Sequence, residues 1–271
     1  MHKSHTGAHR MTESADPRVV FITGTSSGVG EALALAFAAR GCAVAGTARD
    51  ATRLDGLAQK ITAAGGRFLP LACDVRDRES VERAIAETFA AYGRLDVAIA
   101  NAGIGHRGST IDADWDDLET VLRTNIDGVL HTVRAAVPHL RQRGGHVVIL
   151  SSIVWNLVSP FAAIYAASKA FTASISRSLR HELRGQNIHL IEVRLGRVAT
   201  EFNARRLGGG KRTSGSFIPE MTPEFAANAI VRAVLDRHVY VVNPRLIDRL
   251  IVLANRLMPD LIARFAARQY K

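Results

Sequence analysis

The chain has 271 residues, 47% of them hydrophobic and 22% charged, a balance that excludes a disordered or fibrous class and suits one large folded domain. The net charge of +10 comes mostly from dispersed arginines without a run of like charges, so no nucleic-acid-binding stripe is indicated; nor is there an apolar run of the roughly 18 residues that a membrane span needs. Two cysteines, Cys42 and Cys73, point to reduced thiols and a cytoplasmic protein.

Residues 1–16 are polar and His-rich and read as a disordered leader. The main domain is expected over 17–243. It opens on a β-branched strand, residues 19–23, followed by a Gly-rich turn and a helix over 31–40 that stops at Gly41. Strands over 43–47, 68–73 and 95–100 then alternate with helices over 52–64 and 78–92. A long helical region spans 115–140, a strand 146–150, a helix 162–184 and a strand 188–193. The segment 199–221, with Gly208, Gly209 and Gly210, reads as a flexible lid. Thr222 and Pro223 start a helix running to Leu235, and a last strand covers 239–242. Alternation of this kind predicts an α/β fold: a doubly wound parallel sheet of about seven strands with helices on both faces.

Two patterns in this series carry chemistry. Tyr165 and Lys169 lie four apart in a helical stretch, hence on one face, one turn from each other. An ammonium there favours the phenolate and turns the tyrosine into a proton-exchange group. Ser152 ends the preceding strand and offers a second hydroxyl. By itself the pair also fits a half-buried tyrosine beside a solvated lysine. The turn Gly24-Thr25-Ser26-Ser27-Gly28-Val29-Gly30 lies between a strand and a helix, where a pyrophosphate meets backbone N–H groups and the helix N-terminus.

With Asp74-Val75, Asn101-Ala102-Gly103, Asn125, Ser152, Tyr165-x-x-x-Lys169 and Gly196-x-Val198-x-Thr200 in order, the chain resembles the short-chain dehydrogenase/reductase family over about residues 19–242. The resemblance implies a Rossmann-type three-layer sandwich. It also implies a hydride transfer between a nicotinamide nucleotide and a secondary alcohol or ketone. Tyr165 would be the general acid/base, Lys169 its pKa partner and ribose ligand, Ser152 the substrate-oxygen holder and Asn125 the support of a proton-relay water. Asp74 and Val75 would meet the adenine, Asn101, Ala102 and Gly103 would back the cofactor, and Val198 and Thr200 would hold the carboxamide. A catalytically idle nucleotide-binding scaffold is the alternative, which the complete catalytic set opposes.

Several features are particular to this chain. The family's usual Pro-Gly after the sixth strand is Leu195-Gly196 here, flanked by Arg194 and Arg197, which read as solvated arginines rather than as ligands of an anionic substrate. At the end of the second strand Ala48 is neutral and Arg49 follows, which favours NADP over NAD, although Asp50 has the separation from Gly30 of an NAD-type acid. Trp155, Phe161, Leu195 and Phe202, with neighbours such as Val158 and Phe217, predict an apolar wall and a lipophilic carbonyl or alcohol substrate; Trp155 fits packing equally well. The histidines, His106, His131 and His238 among them, show no metal-ligand spacing, and no metal is assigned. The extension 244–271 reads as two amphipathic helices broken at Pro259. Its apolar stripe is expected to pack on the core or on a partner of a homodimer or homotetramer, with peripheral membrane contact as the alternative.

Overall fold

The computed structural model describes residues 17–210, 219–237 and 239–268. The expected leader, Phe217 and His238 lie outside these residues. The short apolar runs form β1 (Val19–Ile22), β2 (Ala43–Ala48), β3 (Arg67–Ala72), β4 (Val97–Ala100), β5 (Gly145–Ser152), β6 (Ile188–Leu195) and β7 (Val241–Val242). All pair in parallel in the order β3-β2-β1-β4-β5-β6-β7, with Val20 opposite both Val44 and Val97. Strands β1, β2 and β4 are buried along their whole length, as continuous apolar strands must be when helices cover both faces.

The period-two alternation divides the core. Val20 and Ile22 face one layer, where they meet Leu33 and Phe37 of α1 (Gly28–Ala39) and Ile230 and Val234 of α7 (Pro223–Leu235). Val19 and Phe21 face the other layer, with Val81 and Ile85 of α3 (Arg78–Tyr92) and Val133 and Leu140 of α5 (Gly128–Leu140). Helix α3 is bounded by its own chemistry: Asp77 accepts from the Glu79 N–H, and Gly93 ends the helix in the left-handed region.

The structure revises several boundaries. Helix α1 begins at Gly28, so the last glycines of the turn already belong to its first coil. The expected helix 52–64 is a 3₁₀ turn, Ala51–Leu54, followed by α2 (Asp55–Ala63). Asp50 caps that turn by accepting from the Thr52 N–H, so it lies past β2. The region 115–140 is not one helix: a π turn, Arg123–Asp127, separates α4 (Trp115–Leu122) from α5. Strands β5 and β6 each run two residues further at their C-terminal ends, pairing Ser152 with Leu195.

The segment after β6 is held by backbone hydrogen bonds to the loop after β4. Leu207 N–H donates to the Gly105 carbonyl at 2.9 Å, Arg107 N–H to Leu207 and Gly210 N–H to Arg107. Residues 199–210 are therefore hydrogen-bonded across the sheet end, and residues 211–218 of the expected lid lie outside the described residues.

The extension forms α8 (Leu246–Leu257) and α9 (Pro259–Ala267). Its orientation differs from the expectation of packing on the core. Asp248 and Asn255 are the buried residues of α8, whereas Leu246, Leu250, Leu253 and Leu257 are exposed. The reason lies in two polar anchors. Asp248 accepts a paired hydrogen bond from Arg245, at 2.9 and 2.6 Å, against Gly196, and Asn255 Nδ2 donates to the Asn156 carbonyl at 2.5 Å. Once these occupy the inner face, the leucine stripe has to face away.

Candidate active site

The first part of the site is the turn between β1 and α1. Thr23 Oγ1 accepts from the Asn101 and Ala102 N–H groups, at 3.0 and 3.1 Å. Asn101 Nδ2 donates in return to the Thr23 and Gly24 carbonyls, at 2.8 and 2.9 Å. Asn101 thus secures the shape of the turn. Gly24 and Gly28 have φ of +72° and +61°, a region in which side chains are strained. A Cβ on Gly30 would stand 2.0 Å from the Gly24 carbonyl oxygen, so only glycine lets the helix approach this closely. Ser27 is the N-cap of α1 yet makes no capping bond with its side chain, which leaves first-turn N–H groups available to an anion. Ser26 and Val29 sit partly exposed beside it. Thr25 does not face this cradle. It is fully buried, and both its N–H and its hydroxyl donate to the Thr47 carbonyl.

The second part is the hydroxyl and amine cluster. Strand β5 delivers Ser152, and α6 (Ala163–Leu183) delivers Tyr165 and Lys169 from one face. The π turn places Asn125 beneath them. Asn125 Oδ1 accepts from the Ile104 N–H, and its Nδ2 donates to the Ile104 carbonyl and to Ser168 Oγ, each at 2.9 Å. Ser168 Oγ in turn donates to the Tyr165 carbonyl at 2.7 Å. A continuous hydrogen-bonded path therefore joins the turn to the catalytic helix. Gly103 lies against both groups: a Cβ there would be 3.2 Å from Asn125 Oδ1 and 3.6 Å from Lys169 Nζ.

Charge in this cluster is governed by desolvation. Lys169 is buried and donates from Nζ to the Leu150 carbonyl at 2.9 Å; burial pulls its amine down to about 8. Desolvation pushes the Tyr165 phenol up to about 12, partly opposed by its hydrogen bond with Ser152. Ser152 Oγ also donates to the Leu195 carbonyl at 3.0 Å. The lysine ammonium thus points to a backbone oxygen, 5.9 Å from the Tyr165 ring centre, and in this arrangement the phenol sits above its usual value rather than below it.

The remaining candidates surround these two parts. The Asp74 carboxylate is gripped by Arg76, at 2.6 Å for the closest pair, and that contact holds it below the usual carboxylate range. Val75 packs on Gly128 and accepts from His131 through its carbonyl. Val198 bridges to Met221, and the Thr200 side chain lies 3.1 Å from where a Gly28 Cβ would stand. Arg49 is exposed at the end of β2.

On the substrate side, the Phe202 ring lies 5.7 Å from that of Tyr165, and Leu195 is buried beneath. Phe161 is exposed and has φ of +59°, an unusual conformation for a bulky residue. Two guanidinium groups, of Arg177 and Arg194, sit over the Trp155 ring at 4.6 and 4.8 Å, which is the packing alternative for that residue. Arg194 and Arg197 are not solvated singly: they pair with Glu192 and Glu220. The sequence reading named Phe161 but not its left-handed backbone, and it missed Ser168 and Arg205, whose Nη1 donates to Ser27 Oγ at 2.9 Å. No local pattern announces any of the three.

A family model described as short chain dehydrogenase matches residues 18–208. A 3-oxoacyl-acyl-carrier-protein reductase of Thermotoga maritima is 31% identical over 228 residues, covering 83% of this chain and 93% of that protein. A glycine betaine reductase of Emericella nidulans is 32% identical over 237 residues, 85% of this chain but only 18% of that protein. This chain belongs to the short-chain dehydrogenase/reductase family of oxidoreductases. Among solved structures, an alcohol dehydrogenase of Thermococcus sibiricus complexed with 5-hydroxy-NADP superposes with a TM-score of 0.74 at 28% identity, over 84% of this chain and 95% of that one. A family member of Burkholderia phymatum in complex with NAD shares the fold at a TM-score of 0.81 and 23% identity, over 91% and 95% of the two chains.

Proposed function

We propose that the protein is a reductase of lipophilic ketones, or the corresponding secondary-alcohol dehydrogenase, that favours NADP(H) and uses Tyr165 as its general acid/base. The observation that carries this reading is the Tyr165 hydroxyl beside Ser152, on the same helix as the buried Lys169, with Asn125 bonded to the neighbouring Ser168. When bound, the nicotinamide nucleotide supplies or accepts the hydride. The chain's own residues do the rest. Gly24 to Gly30 and the open N-terminus of α1 hold the diphosphate. Ser152 orients the substrate oxygen, and Tyr165 transfers a proton to it as the carbonyl is reduced, or takes one from it in the reverse direction. Lys169 and Asn125 keep the site's proton path in register with α6.

NADP(H) is supported by Arg49 at the end of β2 and by the capping contact of Asp50 with Thr52, past the strand. A lipophilic substrate is supported by the exposed side chains of Val158, Phe161 and Phe202. Buried, free Cys42 and Cys73 support a cytoplasmic setting, and no helix among the described residues is long and apolar enough to cross a membrane. For a homodimer or homotetramer, helices α4, α5 and α6 are the surfaces that the family resemblance assigns.

The test is a panel of hydrophobic ketones assayed with NADPH and NADH, alongside Tyr165→Phe. Turnover should fall by roughly 10²–10⁴-fold in the variant while NADPH binding is retained. Wild-type rates in Tyr165→Phe, or turnover of small polar sugars only, would overturn the reading. Fluorescence titration should show NADPH bound more tightly than NADH, a preference that Arg49→Ala erodes; tighter NADH binding would reverse the cofactor assignment.

A further inference from the structure

The outer face of α8 and α9 is organised opposite to an ordinary surface helix. Asp248 and Asn255 are inside, with Asp248 wholly buried, while Leu246 is 69% exposed, Leu250 52%, Leu253 51% and Leu257 70%. These four leucines share one stripe, at about 100° per residue along the helix. Ile247 at 45%, Met258 at 50% and Leu261 at 54% extend the apolar surface into α9.

The rim of this surface is basic. Arg249 and Arg256 fall on one flank of the leucine stripe, and Arg264 in α9 and Arg268 just past it are exposed. Asp248 is consumed by Arg245, so Asp260 is the remaining carboxylate of the two helices. Among the described residues no carboxylate pairs with Arg249 or Arg256; Arg249 reaches only the Asn243 carbonyl.

We infer that α8 and α9 form a peripheral docking face for an anionic lipid surface, with the leucines entering the headgroup boundary and the arginines meeting lipid phosphates. Charge decides between this occupant and a second copy of the chain. A two-fold contact through the same patch would set arginines against arginines with Asp260 alone to offset them. An anionic bilayer satisfies both the apolar stripe and its basic flank. The anchors Asp248 and Asn255 hold the face outward without help from any ligand. The inference is independent of the catalytic reading, and its test uses no turnover.

The experiment is co-sedimentation of the full chain with vesicles of phosphatidylcholine, with or without a third of phosphatidylglycerol. Wild type should pellet with the anionic vesicles and weakly or not at all with the neutral ones. L250E/L253E should lose vesicle binding, and R249Q/R256Q should weaken it on the order of ten-fold or more. Both variants should keep the wild-type mass in light scattering and the wild-type circular dichroism. If L250E/L253E folds poorly, R249Q/R256Q decides alone. Failure of wild type to pellet overturns the inference, as does undiminished binding by the arginine variant. A lower solution mass for L250E/L253E would show that a second copy covers the face, and would overturn it as well.

Discussion

Lys169 couples the site to the stability of the whole chain through its proton. Burial takes its amine from an ordinary 10.5 down to about 8. Between those values the unfolded chain binds a proton that the folded chain does not, so stability rises with pH across that window. Below about 8 the cost of holding a buried ammonium is fully present. Tyr165 acts in the other direction: its phenol rises from 10 to about 12, so above pH 10 the unfolded chain sheds its proton first and stability falls. Urea melts of wild type and Lys169→Met from pH 7 to 11 separate the two groups. Relative to the variant, wild type should gain on the order of 2 kcal/mol between pH 8 and 10. A pH-independent difference between the two proteins would show that the lysine is solvated.

Helix α8 depends on one ion pair more than on its leucines. Asp248 is wholly buried and the Arg245 side chain is 13% exposed, which makes the loss of one partner expensive and the loss of both much less so. Asp248→Ala should cost about 3–5 kcal/mol, seen as a fall in Tm on the order of 10 °C or as early protease cleavage within α8. Arg245→Met combined with Asp248→Leu should recover most of that loss. A single variant as stable as wild type would mean that the tail is not anchored there. The π turn that carries Asn125 is another element whose effect lies in one local irregularity. It interrupts what would otherwise be a continuous helix and aims a buried amide at Ile104 and Ser168.

At the scale of the whole molecule, the layering and the order of elements were legible because strand length, helix length and caps agree with one another. Helices α3 and α7 begin and end where the sequence predicts, since Asp77, Gly93 and Thr222 mark their limits locally. The gathering of Ser152, Tyr165 and Lys169 was legible from motif order. Three features were not. A π turn leaves no trace in an apolar pattern read at helical period. Phe161 occupies a glycine-like conformation without being glycine. The stripe on α8 shows that an apolar face exists, but only Asp248 and Asn255, through partners distant in the chain, decide which way it points. The strand order carries a last consequence, for polymerisation. Among the described residues the sheet ends on β3, which contains Pro70 and so lacks one ladder donor, and on β7, which is only two residues long. Both borders are thus poor templates for a strand from another molecule. Growth by adding a strand from another folded copy is therefore disfavoured at both borders of the sheet.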